Sequence, residues 1–118
     1  MGDYVCTRVW QLRQEASSVD VEVLASSSLL EVLRWIPGVK RFSLCRLSDE
    51  PGRFLMTMIF MNYQSYRYWR QVEAEAADYW EHFAAVWAHW EQLCQLVEEY
   101  VGVVVTDVSL EENRPSKG

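Results

Sequence analysis

The segment from Tyr66 to Val97 holds four of the chain's six tryptophans, Trp69, Trp80, Trp87 and Trp90, together with Tyr79, Phe83, His82 and His89. At about 100° per residue its apolar positions, from Trp69 through Tyr79, Phe83 and Trp87 to Cys94 and Val97, share one arc of roughly 120°. Glu73, Glu75, Glu81, Glu91, Glu98 and Glu99 fall largely outside that arc and read as a solvated face. Such a stripe must lie against something broad and flat. An unbroken helix of about thirty residues would run to about 45 Å, more than a small sheet can cover, so the spacing predicts an overhang or a bend around Gln71–Asp78.

The rest of the chain supplies the sheet. Asp3–Leu12 alternates as a strand does. A polar stretch follows, with Ser17, Ser18 or Asp20 available to cap a helix. Val23, Leu30 and Leu33 then recur at helical spacing up to Trp35 and Pro37-Gly38, and Ser26-Ser27-Ser28 is a place where that helix can break in two. Val39–Leu47 and Phe54–Met61 read as strands joined by Ser48–Gly52, an acidic Pro-Gly turn that makes them an antiparallel hairpin. After the aromatic segment, Val101–Leu110 reads as a fourth, valine-rich strand. The order β-α-β-β-α-β is that of an α+β, ferredoxin-like domain: a four-stranded antiparallel sheet with helices on one face. The domain is expected over residues 1–110, with 111–118 as a flexible polar tail.

Two helices cover one face only. Phe54–Met61 is nonetheless apolar on both sides, with Phe54, Met56, Met58 and Phe60 opposed to Leu55, Ile59 and Met61, and the valines of the fourth strand point both ways. An apolar sheet face of that size is expected to be covered, most economically by a second copy packing face to face as a homodimer.

Composition excludes several function classes. In 118 residues the net charge is −6 and no basic stripe occurs, so neither nucleic acid nor an anionic membrane surface is an expected partner. No stretch reads as a signal peptide or as a membrane span, and a cytoplasmic location is expected. Cys6, Cys45 and Cys94 lack metal-ligand spacing and read as buried small hydrophobes rather than disulfides or a zinc site. Phosphate loops, nucleophile elbows and Cys/His catalytic pairs do not occur.

Three stretches carry a resemblance: Ile36-Pro37-Gly38-Val39 leading into a strand, Ser48-Asp49-Glu50-Pro51-Gly52-Arg53-Phe54, and Asn62-Tyr63-Gln64-Ser65 at the end of the third strand. Together they resemble the dimeric α/β-barrel superfamily, and within it the antibiotic biosynthesis monooxygenase-like proteins, over roughly Trp35 to Trp90. The resemblance implies a β-barrel formed between two protomers and a pocket between sheet and helices in each. It also implies activities ranging from cofactor-independent oxygenation of polycyclic aromatics to haem degradation. The family's usual histidine would fall at Val72 here, while His82-Phe83 is similar to its later His-Phe pair. Asn62 with Trp69 resembles the family's pocket pair that holds a substrate oxygen.

These readings select the candidate residues. Asn62, Trp69 and His82 are candidates for chemistry: an amide can donate to an oxyanion, and an imidazole titrates near neutrality. Asn62 can equally end the strand and cap the following helix. Tyr63, Tyr66, Met58, Trp80, Phe83 and Trp87 are candidates to line a pocket, although a Trp stripe at helical spacing also serves as plain core. Arg8 and Arg41 could meet a carboxylate or phenolate, or pair with glutamates across a dimer. His82 and His89, two turns apart, stand roughly 10 Å from each other, too far to share one metal ion. Three functions follow: a small-molecule-binding, cofactor-independent monooxygenase; a haem-binding or haem-degrading protein; or a non-catalytic structural or ligand-binding dimer.

Overall fold

In a computed structural model describing residues 2–112, 114 and 115, the chain forms β1 (Tyr4–Leu12), α1 (Ser18–Ser26), α2 (Ser28–Arg34), β2 (Val39–Arg46), β3 (Arg53–Phe60), α3 (Tyr63–Glu75), α4 (Ala77–Leu93) and β4 (Cys94–Val103). The four strands make one antiparallel sheet in the order β2-β3-β1-β4, the ferredoxin-like arrangement. Cys6, Arg8 and Trp10 of β1 pair with Met58, Met56 and Phe54 of β3, and these side chains pack under the helices with Leu29, Val32, Trp69, Tyr79 and Trp90. The pleat turns Val5, Leu55 and Ile59 to the opposite face.

Both long helical segments break, each for a local reason. Between α1 and α2, Ser26 and Ser27 hydroxyls donate to the carbonyls of Glu22 and Val23 at 2.9 and 2.7 Å, competing with the backbone ladder, and Ser27 leaves helical geometry. Between α3 and α4, Ala76 is extended (φ −79°, ψ 109°), and the Trp80 indole N–H donates to the carbonyl of Glu73 that the break exposes. The bend predicted near Gln71–Asp78 therefore falls at Ala76.

Two of the stretches that carried the resemblance lie against each other. Gly38 has φ +90°, and a Cβ there would lie 2.6 Å from that of Ser65. The turn before β2 thus approaches the first turn of α3 closely enough to require glycine, and Gly38 accepts from Met61 N–H at 2.9 Å.

The fourth strand differs from the sequence reading. It begins at Cys94 and ends at Val103, whereas Val101–Leu110 was expected; residues 104–109 have no regular structure. The helix correspondingly ends at Leu93 rather than Val97, and it opens at Tyr63 rather than Tyr66. Cys94 and Val97 extend the helical spacing of Trp90, but pairing with β1 begins at once, Leu12 opposite Cys94, and Arg13 N–H caps Leu93 O at 2.9 Å. Ladder pairing overrides the local period. Cys45 is also exposed, not buried; Cys6 and Cys94 are buried, and burial pushes the Cys94 thiol up to about 12. No described helix is long and apolar enough to cross a membrane.

Candidate ligand cleft

Between α3, α4 and the β1–β4 edge lies a cleft of about 460 Å³. Its apolar wall is Trp80 and Trp87 of α4 with Ala74 and Leu96; its charged side is Arg8, Arg70, Glu73 and Glu99, and Glu91 completes it. A β-bulge shapes it. In β4 the register passes from Glu98, opposite Val9, to Leu96, opposite Trp10, skipping Val97. The extra residue puts Leu96 and Glu99 on the same face, which strict alternation would forbid.

Arg8 is the deepest charge, 6% exposed. Its Nε donates to Glu99, its cross-strand neighbour, at 2.6 Å, and its guanidinium lies 4.9 Å from the centre of the Trp69 ring. Glu73, one turn beyond Arg70 on α3, places Oε1 3.9 Å from both Arg8 and Arg70, and Arg70 stands 3.6 Å from Glu99. Burial raises the Glu73 carboxyl above the usual range; the two arginines pull it back and Glu99 pushes it up again. The helical arc put Glu73, Glu91 and Glu99 on a solvated face. The break at Ala76 and the early start of β4 bring all three to this cleft instead. Arg8 pairs with Glu99 of its own chain, and Arg41 is exposed.

The expected site residues are distributed over three environments. Trp80, 37% exposed, and Trp87, nearly buried, wall the cleft, and Trp87 N–H donates to the buried hydroxyl of Tyr79. Burial raises that phenol to about 12. Asn62 and Tyr63 instead line a second, mostly apolar cleft of about 610 Å³ at the far end of β1, with Tyr4, Met61 and Val103. Asn62 Oδ1 accepts from Ser65 N–H at 2.8 Å and so caps α3. Met58 and Trp69 are fully buried core, and Phe83 packs on Trp35 and Tyr79. Tyr66 joins the two regions, its ring contacting Tyr4 at 4.9 Å and Trp69 at 6.2 Å. His82 belongs to α4, but its side chain lies outside the described residues. His89 lies by a separate shallow hollow beside Asp20 and Ser27. Among the described residues no cluster could hold a metal ion.

Neither a protein-family model nor a curated protein matches the sequence. Solved structures do match in shape. SnoaB of Streptomyces nogalater, a cofactor-independent oxygenase, superposes with a TM-score of 0.68 at 12% identity over 92% of this chain and 98% of that one. HapK of Hahella chejuensis gives 0.67 at 15% identity over 91% and 96%. A protein of Chloroflexus aurantiacus J-10-fl, provisionally named an antibiotic biosynthesis monooxygenase, gives 0.62 at 14% identity over 91% and 97%. The chain has the fold of the antibiotic biosynthesis monooxygenase-like proteins. At these identities the likeness concerns the fold alone.

Proposed function

We propose that this chain binds a small aromatic molecule in the cleft between α3, α4 and β4 and oxidises it with dioxygen, without a cofactor. The observation that carries this reading is a tryptophan-walled cleft of about 460 Å³ between helices and sheet, on a fold shared with a cofactor-independent oxygenase. Its volume lies in the range of small-molecule sites, roughly 300–1,000 Å³, and indole faces favour stacked planar rings. In such a reaction the ligand is the reductant. It loses a proton, its carbanion gives electrons to dioxygen and forms a C–O bond, and the protonated hydroperoxide expels water. A CH₂ and O₂ become a C=O and H₂O.

Calorimetric titration with anthrone tests the location. Trp80→Ala is expected to weaken binding by about 1 kcal/mol, the worth of one aromatic contact. An unchanged affinity would place the ligand elsewhere, and no binding by the wild type would remove the reading.

The same reading makes the protein a homodimer. Val5, Leu55 and Ile59 lie on the face away from the helices, and Tyr100 beside them is 58% exposed. Sheet-on-sheet packing of two copies would bury them.

A further inference from the structure

We propose that Glu73 is the proton acceptor of the cleft and that Arg8 receives the negative charge left on the ligand. The assignment rests on the reading of this cleft as the aromatic-ligand site, and extends it to the groups that would start the chemistry.

A guanidinium offers five N–H donors, and buried ones are ordinarily satisfied. Arg8 uses Nε on Glu99, and its side chain also hydrogen-bonds the Cys6 thiol beside it on β1, which leaves donors of the fork to spare. Its Nη2 stands 3.9 Å from Glu73 Oε1, beyond hydrogen-bonding distance, and both residues line the cleft. Trp69 under the guanidinium and Glu99 beside it fix its place. The carboxylate of Glu73 accepts no hydrogen bond from a described residue. Two opposite charges are therefore held near each other without bonding to one another, both lining a cavity.

That geometry fits a ligand oxygen. An atom about 2.8 Å from each group forms the apex of a triangle on the 3.9 Å base. An enolisable ligand then loses its proton to Glu73: the ligand's O–H or C–H bond breaks and an O–H bond forms on the carboxylate. The electron pair stays on the ligand as an oxyanion against Arg8. Burial supports the role, because a carboxyl raised above its usual range holds the proton better than an exposed one. The charged groups facing Glu73 are Arg8 from β1, Arg70 from its own helix, Glu99 from β4 and Glu91 from α4. Arg70 is 44% exposed at the side chain, so its charge is screened more than that of Arg8.

Glu73→Gln keeps the size of the side chain and removes the base. With anthrone as the probe, kcat is expected to fall roughly 100-fold while calorimetric affinity is preserved. Wild-type kcat rises as pH climbs through the Glu73 pKa, since only the carboxylate accepts, and the variant loses that limb. Arg8→Lys, which keeps the charge but not the fork of donors, is expected to fold and to lower the fraction of bound anthrone showing the enolate absorbance band. If anthrone binds and Glu73→Gln retains both rate and pH limb, the assignment falls while the cleft reading stands. If anthrone does not bind the wild type, both fall together.

Discussion

At the scale of single residues, Asn62 takes up the capping role, one of the two that the sequence presented as alternatives. Its Oδ1 caps α3 through Ser65 N–H, while its amide nitrogen makes no hydrogen bond to a described residue and stands at the mouth lined by Tyr4 and Tyr63. Removing the cap with Asn62→Ala is expected to cost about 1 kcal/mol in urea unfolding, and Asn62→Ser, which can still cap, much less. Equal losses in the two variants would mean that the amide matters for packing rather than capping. Arg8 shows the limit of reading residues in isolation. It was expected to meet a carboxylate, but which one was hidden: Glu99 had been placed on a helix, and Glu73 on the wet side of one. Only the β1–β4 register puts Arg8 opposite Glu99.

At the scale of elements, patterns with a mechanical cause were legible. Ser26-Ser27-Ser28 signalled a break because hydroxyls compete for helix carbonyls, and they do so here. The Pro37-Gly38 turn and the start of α3 were recognised separately, and the contact between Gly38 and Ser65 explains why they occur together. Length alone left an overhang or a bend around Gln71–Asp78, and the chain bends at Ala76. The consequence of that bend was not legible: two helices have two apolar arcs, so positions beyond the break no longer share the phase of those before it. Glu73 then lies beside Trp80, whose indole N–H takes up the Glu73 carbonyl. The end of α4 was misplaced because Trp90, Cys94 and Val97 continue a helical period, while the residues that stop it, Leu12 and Arg13, lie some eighty positions earlier.

At the scale of the whole molecule, the strand order and one-sided helix layer followed from the sequence, because handedness and short connections leave few alternatives. What remains for assembly is the face carrying Val5, Leu55 and Ile59. Sedimentation at micromolar concentration is expected to give double the 13.9 kDa of one chain, and Ile59→Lys to return the single-chain mass. A wild type that sediments as a single chain would leave that face open to water and remove the dimer. The account as a whole turns on oxidation of an aromatic ligand by a protein that brings no cofactor. Its most direct test is an oxygen electrode: purified protein with anthrone and no added cofactor should consume dioxygen in step with anthraquinone formation, well above the uncatalysed rate. Oxygen consumption no faster than anthrone alone would contradict it.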